Sequence, residues 1–174
     1  MTKWYALCII FLFLFLLLSP EVIASVRKLP SFYLYTLRGE EMLFRPVASS
    51  LLFFLDPGCL SCLTDLLNLL KGLEGLKEAI SLYVVCLRCD FRDAQNLEDS
   101  LGGRHTVYLA HPELPALLGI WKTPAVFLVN REGRVLYQEK GTISWETLWS
   151  SLPSKTRQRS SKERQTTCAL ESCS

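Results

Sequence analysis

A chain of 174 residues with 19 Lys and Arg against 17 Asp and Glu, net +2, is too evenly charged to read as a polyanion binder or an acidic solvating protein. Its 49% hydrophobic content excludes wholesale disorder, and between two atypical ends about 125 residues remain, the size of one ordinary core. Seven cysteines, all but Cys8 lying beyond the first apolar run, suit a compartment in which disulfides persist.

From Tyr5 to Leu18 the chain is uncharged and almost wholly apolar. A bilayer-spanning helix needs about 20 such residues, whereas the core of a signal peptide needs only about 7–15. Val22 and Ala24 are small residues placed for a signal peptidase, which predicts cleavage after Ala24. An uncleaved membrane anchor is the alternative, because no charge interrupts Trp4 to Pro20. Residues 1–24 are thus expected to be a leader or an anchor, and the body of the protein to be extracytoplasmic. Cys8 counts there as one more small apolar residue.

The first elements of the body are short. Pro30 to Leu37 alternates loosely, turns at Arg38-Gly39-Glu40-Glu41 and resumes at Met42-Leu43-Phe44, the pattern of a hairpin. Ser50 to Leu55 is a continuous apolar run, as in a strand buried on both faces of a parallel sheet. Asp56-Pro57-Gly58 breaks it, and Cys59-Leu60-Ser61-Cys62 opens a helix whose apolar face is predicted at Leu63, Leu66, Leu67, Leu70 and Leu73. Gly72 and Gly75 weaken its end.

The order continues in alternation. Ile80 to Val85 is a second core strand, Asp93 to Leu101 a helix capped by Asp93, and Thr106 to Leu109 a third strand. Glu113 to Leu118 is a helical turn. Ala125 to Asn130 and Val135 to Gln138 form strands joined through Arg131-Glu132-Gly133-Arg134, and Ser144 to Leu152 closes as a helix capped by Ser144. These elements predict one α/β domain over residues 26–152, with a mixed central sheet flanked by helices and an N-terminal β-hairpin. Residues 153–174 lose all periodicity. Their basic residues, Lys155, Arg157, Arg159, Lys162 and Arg164, predict a disordered basic tail, and without interleaved aromatics no nucleic-acid partner is expected.

The chemistry concentrates in the cysteines. A thiol at the first turn of a helix faces unpaired backbone N–H groups and the positive end of the helix dipole, and both favour the thiolate. Cys59 stands there, and Cys62 lies one turn on, close enough for a short disulfide. Cys86-Leu87-Arg88-Cys89 repeats the spacing directly after the second core strand, so in a parallel sheet it falls on the same rim. It reads as a structural disulfide, as two half-buried thiols or as an auxiliary redox pair, with Arg88 available to lower a thiol pKa. The two CxxC pairs together also have the form of a four-thiolate zinc site or a Cu(I)-handling site. His105 and His111 read as surface residues, and Cys168 and Cys173 as a tail disulfide or a tethered substrate.

The chain resembles the thioredoxin superfamily over about Leu29 to Leu152, in its extracytoplasmic TlpA/ResA-like and MauD-like branches. The resemblance rests on Pro30-x-Phe32-x-Leu34 with Gly39, on the strand leading into Cys59-Leu60-Ser61-Cys62, and on Gly119 through Gly133 with its Thr123-Pro124. It implies a thioredoxin-like fold and a thiol–disulfide oxidoreductase. Cys59 is then the exposed attacking thiolate, Cys62 the buried resolving thiol and Pro124 a cis-proline facing the pair. The backbone of Thr123 would dock the extended chain of a protein client as an added strand. An ordinary proline at a strand start is the plain alternative for Pro124. The implied partners are a disulfide-bearing client, an upstream dithiol electron donor and, if the leader is retained, the membrane; no cofactor is expected.

Two departures stand out. Gly58 occupies the position before the first cysteine where many thioredoxins have an aromatic residue. Phe53 stands where many have a buried carboxylate, leaving Asp56 or Glu113 as substitutes. Leu60-Ser61 brings neither positive charge nor proline between the cysteines, which predicts a potential toward the reducing end of the range. A thiol-based metal chaperone is the rival reading. A thiol peroxidase fits less well, because Pro57 is too close to Cys59 for the usual Pro-Thr-Cys spacing.

Overall fold

Ser49–Leu55 is the strand on which the fold is built, and its side chains alternate between two apolar layers. The structure, a computed structural model, describes residues 28–74 and 80–152. Within these residues the strands are β1 (Tyr33–Tyr35), β2 (Glu41–Leu43), β3 (Ser49–Leu55), β4 (Ile80–Cys86), β5 (Val107–Ala110), β6 (Ala125–Val129) and β7 (Val135–Lys140). The helices are α1 (Leu60–Leu73), α2 (Phe91–Ser100), α3 (Leu114–Leu118) and α4 (Trp145–Ser150). The strands join in one sheet of order β2-β1-β5-β4-β3-β6-β7.

β3, β4 and β5 run parallel, which requires the helical crossovers α1 and α2; the outer pairings are antiparallel. Leu51, Phe53 and Leu55 face a layer completed by Leu66, Leu69 and Leu73 of α1, Ala94 of α2 and Leu148 of α4. Leu52 and Phe54 face the opposite layer, with Phe127, Leu114 and Leu118 of α3. Each such side chain taken from water contributes about 1.5–3 kcal/mol, so the two-sided burial of β3 anchors the sheet. This is the mixed, helix-flanked sheet expected from the sequence, with the N-terminal hairpin at its edge.

Some boundaries differ from the pattern reading. The buried face of α1 is Cys62, Leu66, Leu69 and Leu73, while Leu63 and Leu67 are partly exposed. The helix starts with Cys62 facing inward, and that rotates the apolar stripe. The helix expected from Asp93 begins earlier, at Phe91, because Asp90 is the cap and its Oδ1 accepts from the Asp93 N–H at 2.8 Å. Ser144 does precede α4, but its hydroxyl meets the Thr147 hydroxyl at 2.8 Å rather than a backbone N–H.

Gly72 has a packing reason that propensity hid. A Cβ there would lie 2.3 Å from the Trp149 ring, so the bare backbone of α1 lets α4 approach. Among the described residues no helix is long and apolar enough to cross a membrane. The expected leader or anchor at residues 1–24 and the expected tail at 153–174, with Cys168 and Cys173, lie outside the described residues.

Candidate functional site

β3 ends at Leu55, and the next residues make the turn that aims Cys59. The Cys59 N–H donates to the Asp56 carbonyl at 3.1 Å, closing a tight turn through Pro57 and Gly58. Cys59 then caps α1 in an extended conformation (φ −95°, ψ 92°), and its Sγ accepts from the Cys62 N–H at 3.2 Å. The Ser61 hydroxyl is 3.4 Å from the same sulfur. Two donors can therefore converge on Cys59 Sγ when it carries charge, one from backbone and one from a side chain. Ser61 was missed in the sequence because its relation to Cys59 depends on how the first turn folds.

Cys59 and Cys62 are joined in a disulfide with Cα atoms 5.2 Å apart. The two cysteines differ in access: Cys62 is fully buried, whereas Cys59 is half-buried. Gly58 leaves open space beside the pair where an aromatic side chain would stand. Beneath, Phe53 is fully buried in the same apolar layer as Cys62.

The Thr123–Pro124 peptide bond is cis, as the resemblance implied. It lies just before β6, which is paired with β3 so that Ala125 sits opposite Phe54. Thr123 is tied directly to the cysteine turn, its hydroxyl donating to Asp56 Oδ2 at 3.2 Å. Asp56 is thus more than a turn residue. The Arg88 Nε also donates to its Oδ1 at 3.0 Å, and a second guanidinium nitrogen reaches Oδ2. The carboxylate is only 14% exposed and joins three segments: the first cysteine turn, the second CxxC loop and the residue before Pro124. The same contact raises the Arg88 pKa above its usual value, chiefly through the hydrogen bond to Asp56. The partner that Arg88 meets is Asp56.

Cys86 and Cys89 form a second disulfide, with Cα atoms 5.7 Å apart. In the β3–β4 register Leu55 lies opposite Cys86, so both cysteine pairs do stand on one rim of the sheet. Arg88, inside the second loop, has a positive φ of 52°. A cleft of about 270 Å³ runs between α1 and α2 and is lined by Asp56, Cys59, Leu63, Cys86, Asn96 and Leu97 among others. Glu113, the other carboxylate considered beside the pair, lines a different cleft with Ser31, Tyr33 and Glu41. His111 is a local turn acceptor for the Glu113 N–H at 3.3 Å. The four sulfurs of the two CxxC pairs are tied in two bonds rather than converged on one point. Among the described residues no group of three or more His, Cys, Asp or Glu is placed to hold a metal ion.

No family model matches the sequence, and no curated protein does. Solved structures match throughout the domain. The chain is similar to the thioredoxin domain of a thiol-disulfide oxidoreductase from Bacteroides vulgatus, with a TM-score of 0.63 at 19% identity, over 75% of this chain and 99% of that one. A thiol-disulfide oxidoreductase from Bacteroides fragilis gives 0.59 at 16% identity, over 73% and 100%. A secreted disulfide oxidoreductase from Mycobacterium tuberculosis gives 0.57 at 18% identity, over 69% and 92%. At such identities the shared property is architecture: this chain has the thioredoxin fold.

Proposed function

We propose that the chain is a thiol–disulfide oxidoreductase that acts outside the cytoplasm on disulfides of protein clients, as a reductant. One observation carries the reading. A half-buried Cys59 sulfur at a helix start, with two donors aimed at it, is bonded to a fully buried Cys62. In the reduced state Cys59 attacks a client disulfide, a mixed disulfide forms, and Cys62 displaces the reduced client by closing the Cys59–Cys62 bond. A dithiol donor then restores the pair.

Thr123 and Pro124 are the residues against which the client lies, its extended backbone pairing with that of Thr123. Exposed apolar side chains flank both loops, Leu60 between the cysteines and Trp121 ahead of Thr123. Residues 1–24 serve as leader or anchor for the domain at 26–152. Leu60-Ser61, between the two cysteines, brings no positive charge that would make the disulfide strongly oxidising, which supports the reducing direction. The secreted solved structure and the cysteine content support an extracytoplasmic place.

The test is catalytic reduction of a disulfide-bearing protein by the dithiol-charged full chain. Cys59→Ser should abolish it, and Cys62→Ser should trap clients as mixed disulfides on Cys59. A Cys59–Cys62 potential near about −270 mV fits a reductant, and one near about −120 mV overturns the direction.

A further inference from the structure

Cys86–Cys89 shares its surroundings with the first pair. Cys86 lies opposite Leu55 across adjacent parallel strands, and Leu55 precedes Cys59 by a single tight turn of the chain. Both Cys59 and Cys86 line the cleft between α1 and α2, and both pairs pack on one apolar layer. Asp56, at the mouth of the first loop, is gripped by Arg88 of the second. A purely structural role explains little. A bridge between residues three apart closes so short a loop that it removes little chain entropy. Nor is Cys89 sealed away, being half-buried.

We propose that Cys86 and Cys89 form a second redox site that exchanges electrons with Cys59 and Cys62 through this cleft. The inference rests on Cys59 and Cys62 being the pair that meets the client. After one client has been reduced, the first pair is a disulfide and the second a dithiol. The Cys86 thiolate attacks Cys59 Sγ, breaking the Cys59–Cys62 bond and forming a Cys59–Cys86 bond, while Cys62 leaves as a thiolate and takes a proton from solvent. The Cys89 thiolate then attacks Cys86 Sγ, closing Cys86–Cys89 and releasing Cys59 as a thiolate. Two electrons have moved within the chain, one disulfide has opened and one has closed. A chain reduced at both sites therefore holds four electrons, enough for two clients before its donor is needed.

The experiment uses the fully reduced full chain with no donor and an excess of a peptide bearing one internal disulfide. The oxidation state of each cysteine is followed by differential alkylation and peptide mass spectrometry. Oxidation of both pairs, with Cys86 and Cys89 oxidising at least about tenfold more slowly in Cys59→Ser, is the expected result. If Cys59 and Cys62 oxidise while Cys86 and Cys89 stay reduced, the inference falls and the proposed function stands. If the second pair oxidises as fast in Cys59→Ser, it reacts by itself and the exchange is overturned. If neither pair oxidises, the proposed function fails and the exchange with it. In a Cys62→Ser, Cys89→Ser double variant, mild oxidation should yield a Cys59–Cys86 cross-link within the monomer; its absence also overturns the inference.

Discussion

Asp56 and Arg88 stand 32 positions apart and meet as a fork, both carboxylate oxygens facing both a guanidinium Nε and a terminal nitrogen. The pairing joins the ends of β3 and β4 beyond the last sheet bonds, and the Thr123 hydroxyl adds the loop before β6 to the same carboxylate. A planar fork of this kind fixes orientation as well as distance, which is why lysine would not replace Arg88 there.

The Thr123–Asp56 bond should show itself as coupling. Thr123→Val removes one partly buried hydrogen bond and is expected to cost about 1 kcal/mol in urea denaturation. Asp56→Ala removes the carboxylate that accepts the bond. The double variant should then fall short of the sum by about 0.5–1 kcal/mol, since either change alone removes the shared bond. Additive effects would show that Thr123 is not coupled to Asp56.

Ser61 offers a second check, on the reduced pair. Its hydroxyl near Cys59 Sγ stabilises a thiolate more than a thiol, so Ser61→Ala should raise the Cys59 pKa. The alkylation rate of Cys59 below that pKa should drop, while its plateau at high pH stays. In the parent chain Cys59 should react about tenfold or more faster than the buried Cys62. Equal rates would contradict the difference in access.

Packing of α4 on α1 can be tested at Gly72. Alanine there would gain up to about 1 kcal/mol of helix propensity. The new methyl must displace Trp149, whose ring stacks on Trp145 at 6.4 Å, and overpacking costs typically about 1–3 kcal/mol. Gly72→Ala should therefore destabilise and shift the tryptophan fluorescence. In a Trp149→Leu background, with that space freed, the same change should become neutral or stabilising.

Tyr137 predicts an alkaline limit. Burial first, and then its hydrogen bond to the Glu139 carboxylate, raise its pKa above the usual tyrosine value. A pKa raised in the folded state means the contribution is fully present below the unfolded value of about 10 and is lost as pH rises through the folded one. The parent chain should lose stability above about pH 10, and Tyr137→Phe should lose less over that window. At neutral pH the phenylalanine variant should be less stable by about 1 kcal/mol, because the hydroxyl also donates to the Ser144 carbonyl. Urea titrations at pH 7 and pH 11 separate the two effects.

What could be read from the sequence follows a physical division. The apolar run Ser50 to Leu55 announced a strand buried on both faces, and with the CxxC beside it the sheet edge followed. The rim shared by Cys59 and Cys86 was legible for the same reason, since parallel strands end together. Local competition was harder. Asp90 and Asp93 are both credible caps, and only the turn after Cys89 decides for Asp90. The stripe through Leu63 and Leu67 is as periodic as the true one, yet the inward start at Cys62 rotates the helix away from it. Asp56 with Arg88 and Thr123, or Gly72 with Trp149, depend on distances between segments far apart in the chain, which periodicity does not encode.

Phe53 gives the pair a hydrocarbon floor. A proton leaving Cys62 would meet no carboxylate on the Phe53 side to accept it, and would leave by the opening at Cys59, where under the proposed function a client would arrive. Sulfur exchange and proton release then compete for one doorway, and a bound client that seals it would hold the resolving step back until it shifts. The timing of release would be set by the guest rather than by an internal relay.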